Sequence, residues 1–121
     1  MIAMLAIRGR AMRLLNGDRA DLGTKLEDYV LNAGHRQGRH KARVFEAVLG
    51  ISATNADVLS DALLAAVAGS NEAEWRGNTG FGDIYTLRLP LRTIKGAATV
   101  LSVWIVRRGE DFPRLATCYI V

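Results

Sequence analysis

Apolar and polar positions follow a helical period in the first half of the chain and an alternating one in the second, with the change near Gly69. Leu26, Tyr29 and Val30 fall at i, i+3 and i+4, which predicts a short helix over 22–31, ended by Asn32-Ala-Gly34. Val44, Phe45, Val48 and Leu49 form one face of a second helix over about 39–49, with Gly50 as its stop. Thr54-Asn-Ala-Asp57 resembles a capping box with Asp in place of Glu, and the helix it opens carries Val58, Leu59, Ala62, Leu63, Ala66 and Val67 on one face before ending at Gly69.

Beyond Gly69, residues 72–76 read as a strand and 77–80 as a turn. Residues 84–91 alternate, Lys95-Gly96 supplies a hairpin turn, and 98–107 are apolar on both faces, as at the centre of a sheet. Arg108 to Asp111 form the next turn, and Pro113 opens a last strand over 114–121. On that strand Ala116, Cys118 and Ile120 suit the side beneath the helices, which leaves Thr117 and Tyr119 on the other face. Short turns imply antiparallel pairing. The expected fold is therefore α+β, with three N-terminal helices packed on one face of a C-terminal four-stranded antiparallel sheet.

A length of 121 residues fits one domain and one core. The net charge of +4 favours an acidic partner, and thirteen of the sixteen basic residues are arginine, which grips phosphate bidentately and stacks on bases. The single cysteine, Cys118, rules out an intrachain disulfide and a multi-cysteine zinc site. No apolar run approaches the roughly 18 residues of a membrane span, and Met1 to Ala6 is followed by Arg8 and Arg10 without a signal-peptide order. A cytoplasmic protein without membrane association is expected.

The densest chemistry lies in His35-Arg-Gln-Gly-Arg-His-Lys-Ala-Arg43, which holds both histidines of the chain. Cleaving RNA without a metal needs a base for the 2′-hydroxyl, an acid for the leaving oxygen and cations for the phosphate charge. Histidine can serve as either proton-transfer group near neutral pH. His35, His40, Lys41, Arg43, Arg114, Thr117 and Tyr119 could supply these functions, and Lys41 lies at the edge of the buried face of its helix. No P-loop, HExxH or GxSxG is present, and Gly77 to Gly82 lies between presumed strands with no helix after it. The spacing of His35, His40 and Asp28 is not that of a metal site, so neither a metal nor a cofactor is expected.

Asn16-Gly-Asp-Arg-Ala20, Lys25-Leu-x-x-Tyr29-x-Leu-Asn32, His35-x-x-Gly38-Arg-His-Lys-Ala42-x-x-Phe45, Leu49-Gly50, Trp104-Ile105 and Pro113-Arg-Leu-x-Thr117-x-Tyr119 together resemble a bacterial domain of unknown function numbered 6883. The resemblance covers about 12–121. It implies a toxin-associated protein, often beside a small companion gene, with a layout similar to the barnase, colicin D and RelE-like ribonucleases. It also implies that 1–11 form an N-terminal extension to a single domain over 12–121, with Met12 as the natural initiator.

On that resemblance the catalytic set is His35, Lys41, Arg114, Thr117 and Lys25, with His40, Arg43, Tyr119 and Arg39 binding substrate. The expected activity is a metal-independent endoribonuclease of a toxin–antitoxin or polymorphic toxin system. Its partners would be RNA and a small acidic antitoxin or immunity protein, with a homodimer left open. The alternative is a non-enzymatic interaction module, or an antitoxin-like protein, binding an acidic partner. In that case the His-Gly-Arg-His-Lys motif merely shapes the loop and helix entry.

Overall fold

The computed structural model describes residues 11–121. It corrects the expected architecture: the sheet has five antiparallel strands in the order β1-β2-β3-β4-β5, with short helical segments, instead of four strands behind three N-terminal helices. The strands are β1 (Ala11–Met12), β2 (Ala73–Asn78), β3 (Gly82–Arg92), β4 (Ala97–Arg107) and β5 (Arg114–Ile120). The additional strand, β1, precedes every helix and pairs Ala11 with Glu74 and Met12 with Ala73. Two residues carry no periodicity of their own, so only the pairing reveals them. Ala11, expected in an N-terminal extension, is thus a sheet residue, while the remainder of that expectation lies outside the described residues.

Of the three expected helices the first is shorter, while the second spans 39–49 as expected but changes from α to π geometry partway. The first, α1 (Leu26–Val30), is a single π-helical turn closed by Leu31 N–H donating to the Leu26 carbonyl. It cannot begin at residue 22, because Asp21 N–H donates to the Pro113 carbonyl and Leu115 N–H donates to the Asp21 carbonyl. That exchange is a parallel bridge between Asp21 and Arg114, and it holds the chain extended beside β5. The second segment, α2 (Arg39–Val44), is continued by a π-helical stretch, Phe45–Leu49. The third, α3 (Asp57–Gly69), starts after a 3-10 turn over Ala53–Asn55. The capping box belongs to that 3-10 turn and is formed by Ser52 and Asn55, not by Thr54 and Asp57: Asn55 Oδ1 accepts from Ser52 N–H and Ser52 Oγ accepts from Thr54 N–H, while α3 itself has Ala56 before it and no side-chain cap.

The helical segments bury Leu26, Val30, Phe45, Leu49, Leu59, Leu63 and Val67 against Leu87, Leu89, Val100, Trp104, Leu115 and Cys118 of the sheet. Trp104 is fully buried, and its indole donates to Ser102 Oγ, which donates in turn to the Leu87 carbonyl. The two buried polar groups are thereby satisfied.

β5 is an edge strand with one extra residue. Thr117 pairs with Val103 but Leu115 pairs with Trp104, so Ala116 forms a bulge. The bulge reverses the facing of everything before it. Leu115 joins Cys118 and Ile120 beneath the helices, and Arg114 joins Thr117 and Tyr119 on the opposite face.

Candidate functional site along the edge of β5

Because β5 is the last strand of the sheet, the helical layer reaches its side chains around the edge. α1 and α2 both pack against β5. Lys25, at the start of α1, lies beside Arg114, Leu115 and Ala116, and Lys41 and His40 of α2 lie beside Tyr119 and Ile120. Two of the regions picked out from sequence, the His-Lys segment and the last strand, therefore meet. They do so as two clusters, one at each end of β5.

The cluster at the C-terminal end is centred on Lys41. Its Nζ donates to the Tyr29 hydroxyl at 2.7 Å, sits 4.6 Å from the centroid of the Tyr29 ring, and lies 5.8 Å from that of Tyr119. The ammonium is thus held between two aromatic rings, with its stem over apolar side chains. A cavity of about 280 Å³ is lined by His40, Lys41, Val44, Tyr119 and Ile120. His40 is exposed, and among the described residues its ring makes no hydrogen bond. Positions 40, 41 and 44 line the cavity, whereas the exposed Arg39 and Arg43 do not, although Arg43 is the i+3 neighbour of His40 on the helix surface.

His35 is one step removed. Its ring meets Tyr29 edge to face at 4.9 Å, and its Nδ1 accepts from Gln37 N–H at 3.0 Å and Gly38 N–H at 2.9 Å. An Nδ1 that accepts carries no proton, so the proton of the neutral ring is on Nε2. Accepting a proton at Nδ1 would break both bonds. Gly38 completes this turn, since a Cβ there would lie about 2.0 Å from the Tyr29 carbonyl oxygen. His35 and Gly38 therefore fold the loop onto Tyr29, and Tyr29 in turn fixes Lys41.

The cluster at the N-terminal end of β5 contains Lys25, Phe81, Ile105, Arg107, Arg108, Arg114, Leu115 and Ala116 around a cavity of about 530 Å³. Arg114 is committed within it. Its Nε and Nη2 donate to the two oxygens of Glu110, its Nη1 donates to Asp21, and its guanidinium carbon lies 4.9 Å from the centroid of the Phe112 ring. The hydrogen bond from Arg114 holds the Glu110 carboxyl below its usual range, and the same bond raises Arg114. Lys25 and Arg107, in contrast, make no side-chain hydrogen bond or ion pair among the described residues. Thr117 lies on β5 between the two clusters, and its buried Oγ1 has no hydrogen-bond partner among the described residues.

The expected residues thus separate into groups. Lys41, His40 and Tyr119 share one cavity, Lys25 and Arg114 share the other, and Thr117 lies between them. His35 supports the first cluster, and Arg39 and Arg43 line neither cavity. Tyr29, Phe81, Arg107 and Arg108 were not singled out from the sequence as candidates. Tyr29 could have been found from its helical spacing to Lys25, but no periodicity marks the other three. Cys118, buried beneath the helices, has its thiol pushed up to about 12 by desolvation, so it is a core group and not a nucleophile.

Among the described residues no group of three or more His, Cys, Asp or Glu is placed to hold a metal ion, and no helix is long and apolar enough to cross a membrane. No curated protein and no solved structure matches the chain. The profile of one family, described as Domain of unknown function (DUF6883), matches residues 13–121. That match covers all but the first twelve residues, and the chain belongs to this family.

Proposed function

We propose that the chain is a metal-independent endoribonuclease of the toxin type, acting at the edge of β5. The observation that carries this reading is the Lys41 ammonium, fixed by Tyr29 and Tyr119 beside the unengaged imidazole of His40. A proton-transfer group next to a preorganised cation is the minimum that phosphodiester cleavage requires. His40 takes the proton of the 2′-hydroxyl, and the 2′-oxygen closes on phosphorus to give a 2′,3′-cyclic phosphate. Lys41 stabilises the charge gathered on the phosphate oxygens. The 5′-oxygen leaves with a proton from water or from the Lys41 ammonium.

His35 holds Tyr29, and Arg114 holds the start of β5. Lys25 and Arg107 supply the cations that track the rest of the strand. A small acidic companion protein would neutralise the activity by covering the same basic edge.

The test is incubation of the purified protein with total RNA and with tRNA in the presence of EDTA, together with growth of cells on induced expression. Cleavage leaving cyclic-phosphate ends, and growth arrest, are expected. No cleavage and no effect on growth would overturn the ribonuclease reading. Recovery of an acidic protein partner without toxicity would favour a binding module.

A further inference from the structure

We infer that the cavity at the N-terminal end of β5 is a nucleotide subsite, in which Phe81 stacks an unpaired base while Lys25 and Arg107 take the adjoining phosphate. The inference deepens the ribonuclease reading by assigning its single-stranded RNA a second point of attachment, away from the reacting group.

Phe81 is 77% exposed, although it is a large apolar side chain at the tip of the hairpin joining β2 and β3. A loose loop would explain that exposure, but this tip is braced. Thr79 N–H donates to the Gly82 carbonyl, Gly80 N–H to Asn78 Oδ1, Phe81 N–H to Thr79 Oγ1, and Arg108 N–H to the Phe81 carbonyl. Gly82 is pressed against β4 so closely that a Cβ would lie about 2.2 Å from the Val106 oxygen. The ring is therefore presented by a tight, tied turn beside Arg107 and Arg108. With the backbone already ordered, only the torsions of the Phe81 side chain remain to be fixed on binding.

The charge is suitable for an anion. Of the four cations lining the cavity, Arg114 is neutralised by Glu110 and Asp21, and Arg108 donates only to the Gly80 carbonyl. Among the described residues, Lys25 and Arg107 make no side-chain hydrogen bond or ion pair, and Arg107 has only the charge of the nearby Glu110, itself bound to Arg114, to offset it. A cavity of about 530 Å³ with one apolar platform and adjacent cations matches a base with its phosphate. Arg114 and Tyr119 are five residues apart on β5, or roughly 16 Å at the rise of a strand. One strand of RNA following β5 would therefore reach both the Phe81 subsite and His40.

The test is fluorescence anisotropy with a labelled single-stranded oligoribonucleotide and a duplex of the same sequence, using Phe81→Ala, Phe81→Trp, Arg107→Gln and His40→Ala. Stacking predicts that Phe81→Ala weakens single-strand binding about 5- to 150-fold, and that Phe81→Trp restores it. Duplex binding should be unaffected by either change. Arg107→Gln should reduce the slope of log affinity against log salt by about 0.7, and Phe81→Ala should not.

His40→Ala should abolish cleavage yet bind normally, whereas a parent protein that binds RNA through Phe81 without cleaving it refutes the ribonuclease reading and leaves the subsite standing. The inference is overturned if Phe81→Ala, confirmed folded by its thermal transition, binds the single strand as the parent does or weakens both probes equally. It is also overturned if polyglutamate displaces the RNA and binds Phe81→Ala unchanged, which would mark an acidic-protein site.

Discussion

Lys41 is the residue on which the edge of β5 depends, because its amine is fixed by one hydrogen bond and two rings. Lys41→Met keeps the stem and removes the charge. It should lower RNA cleavage by about 10²- to 10³-fold with little change in thermal stability, measured by initial rates beside a melting curve. The two histidines separate in the same assay. His35→Ala removes the acceptor for Gln37 N–H and Gly38 N–H and should cost about 1 kcal/mol, whereas His35→Asn can accept in its place and should retain both fold and cleavage. Loss of cleavage in a His35→Asn protein of parental stability would return the proton-transfer role to His35. Thr117→Val removes a buried hydroxyl that has no partner, so the melting temperature should hold or rise by a few degrees. A fall in cleavage alongside that rise would show the hydroxyl serving the substrate. Cys118 gives an internal control. With its thiol pushed up to about 12, labelling by a disulfide reagent at neutral pH should be slower than for a free thiol by about 10³ or more, and fast only on unfolding.

Among the elements, β5 is the one whose reading from sequence was both most useful and least complete. Alternation located the strand and placed Cys118 and Ile120 beneath the helices. It could not show the bulge at Ala116, because an extra residue is visible only against the partner strand, and Arg114 and Leu115 consequently exchange faces. The same limit applies to α1. Its apolar spacing is clear, but the pairing of Asp21 with β5 shortens it, and no local signal reports a contact with the far end of the chain. The bridge also makes a pH prediction. Glu110, held below its usual range by the hydrogen bond from Arg114, contributes stability that is present above the unfolded carboxyl value near 4.5 and is lost as pH falls through the lower folded value. Glu110→Gln should flatten the acid limb of the stability curve in that window, as followed by denaturant midpoints. An unchanged limb would mean that Asp21 alone holds Arg114.

Across the whole molecule, the meander was legible because each strand between 73 and 120 is bounded by its own turn residues, and the fifth strand was not, because two residues have no pattern. For the site, residue chemistry pointed to the His-Lys segment and to β5, and the sequence motif kept Tyr29 in view only as an apolar position. Phe81, Arg107 and Arg108 join it through folding alone. The bridge between Asp21 and Arg114 has a further consequence for how the protein comes into being. Its partners lie 93 residues apart, so neither α1 nor the edge that carries Lys25 and Lys41 can be completed before the last strand is made. A nascent chain that lacks β5 can hold α2 and α3 but has no site; function begins only once that strand has docked.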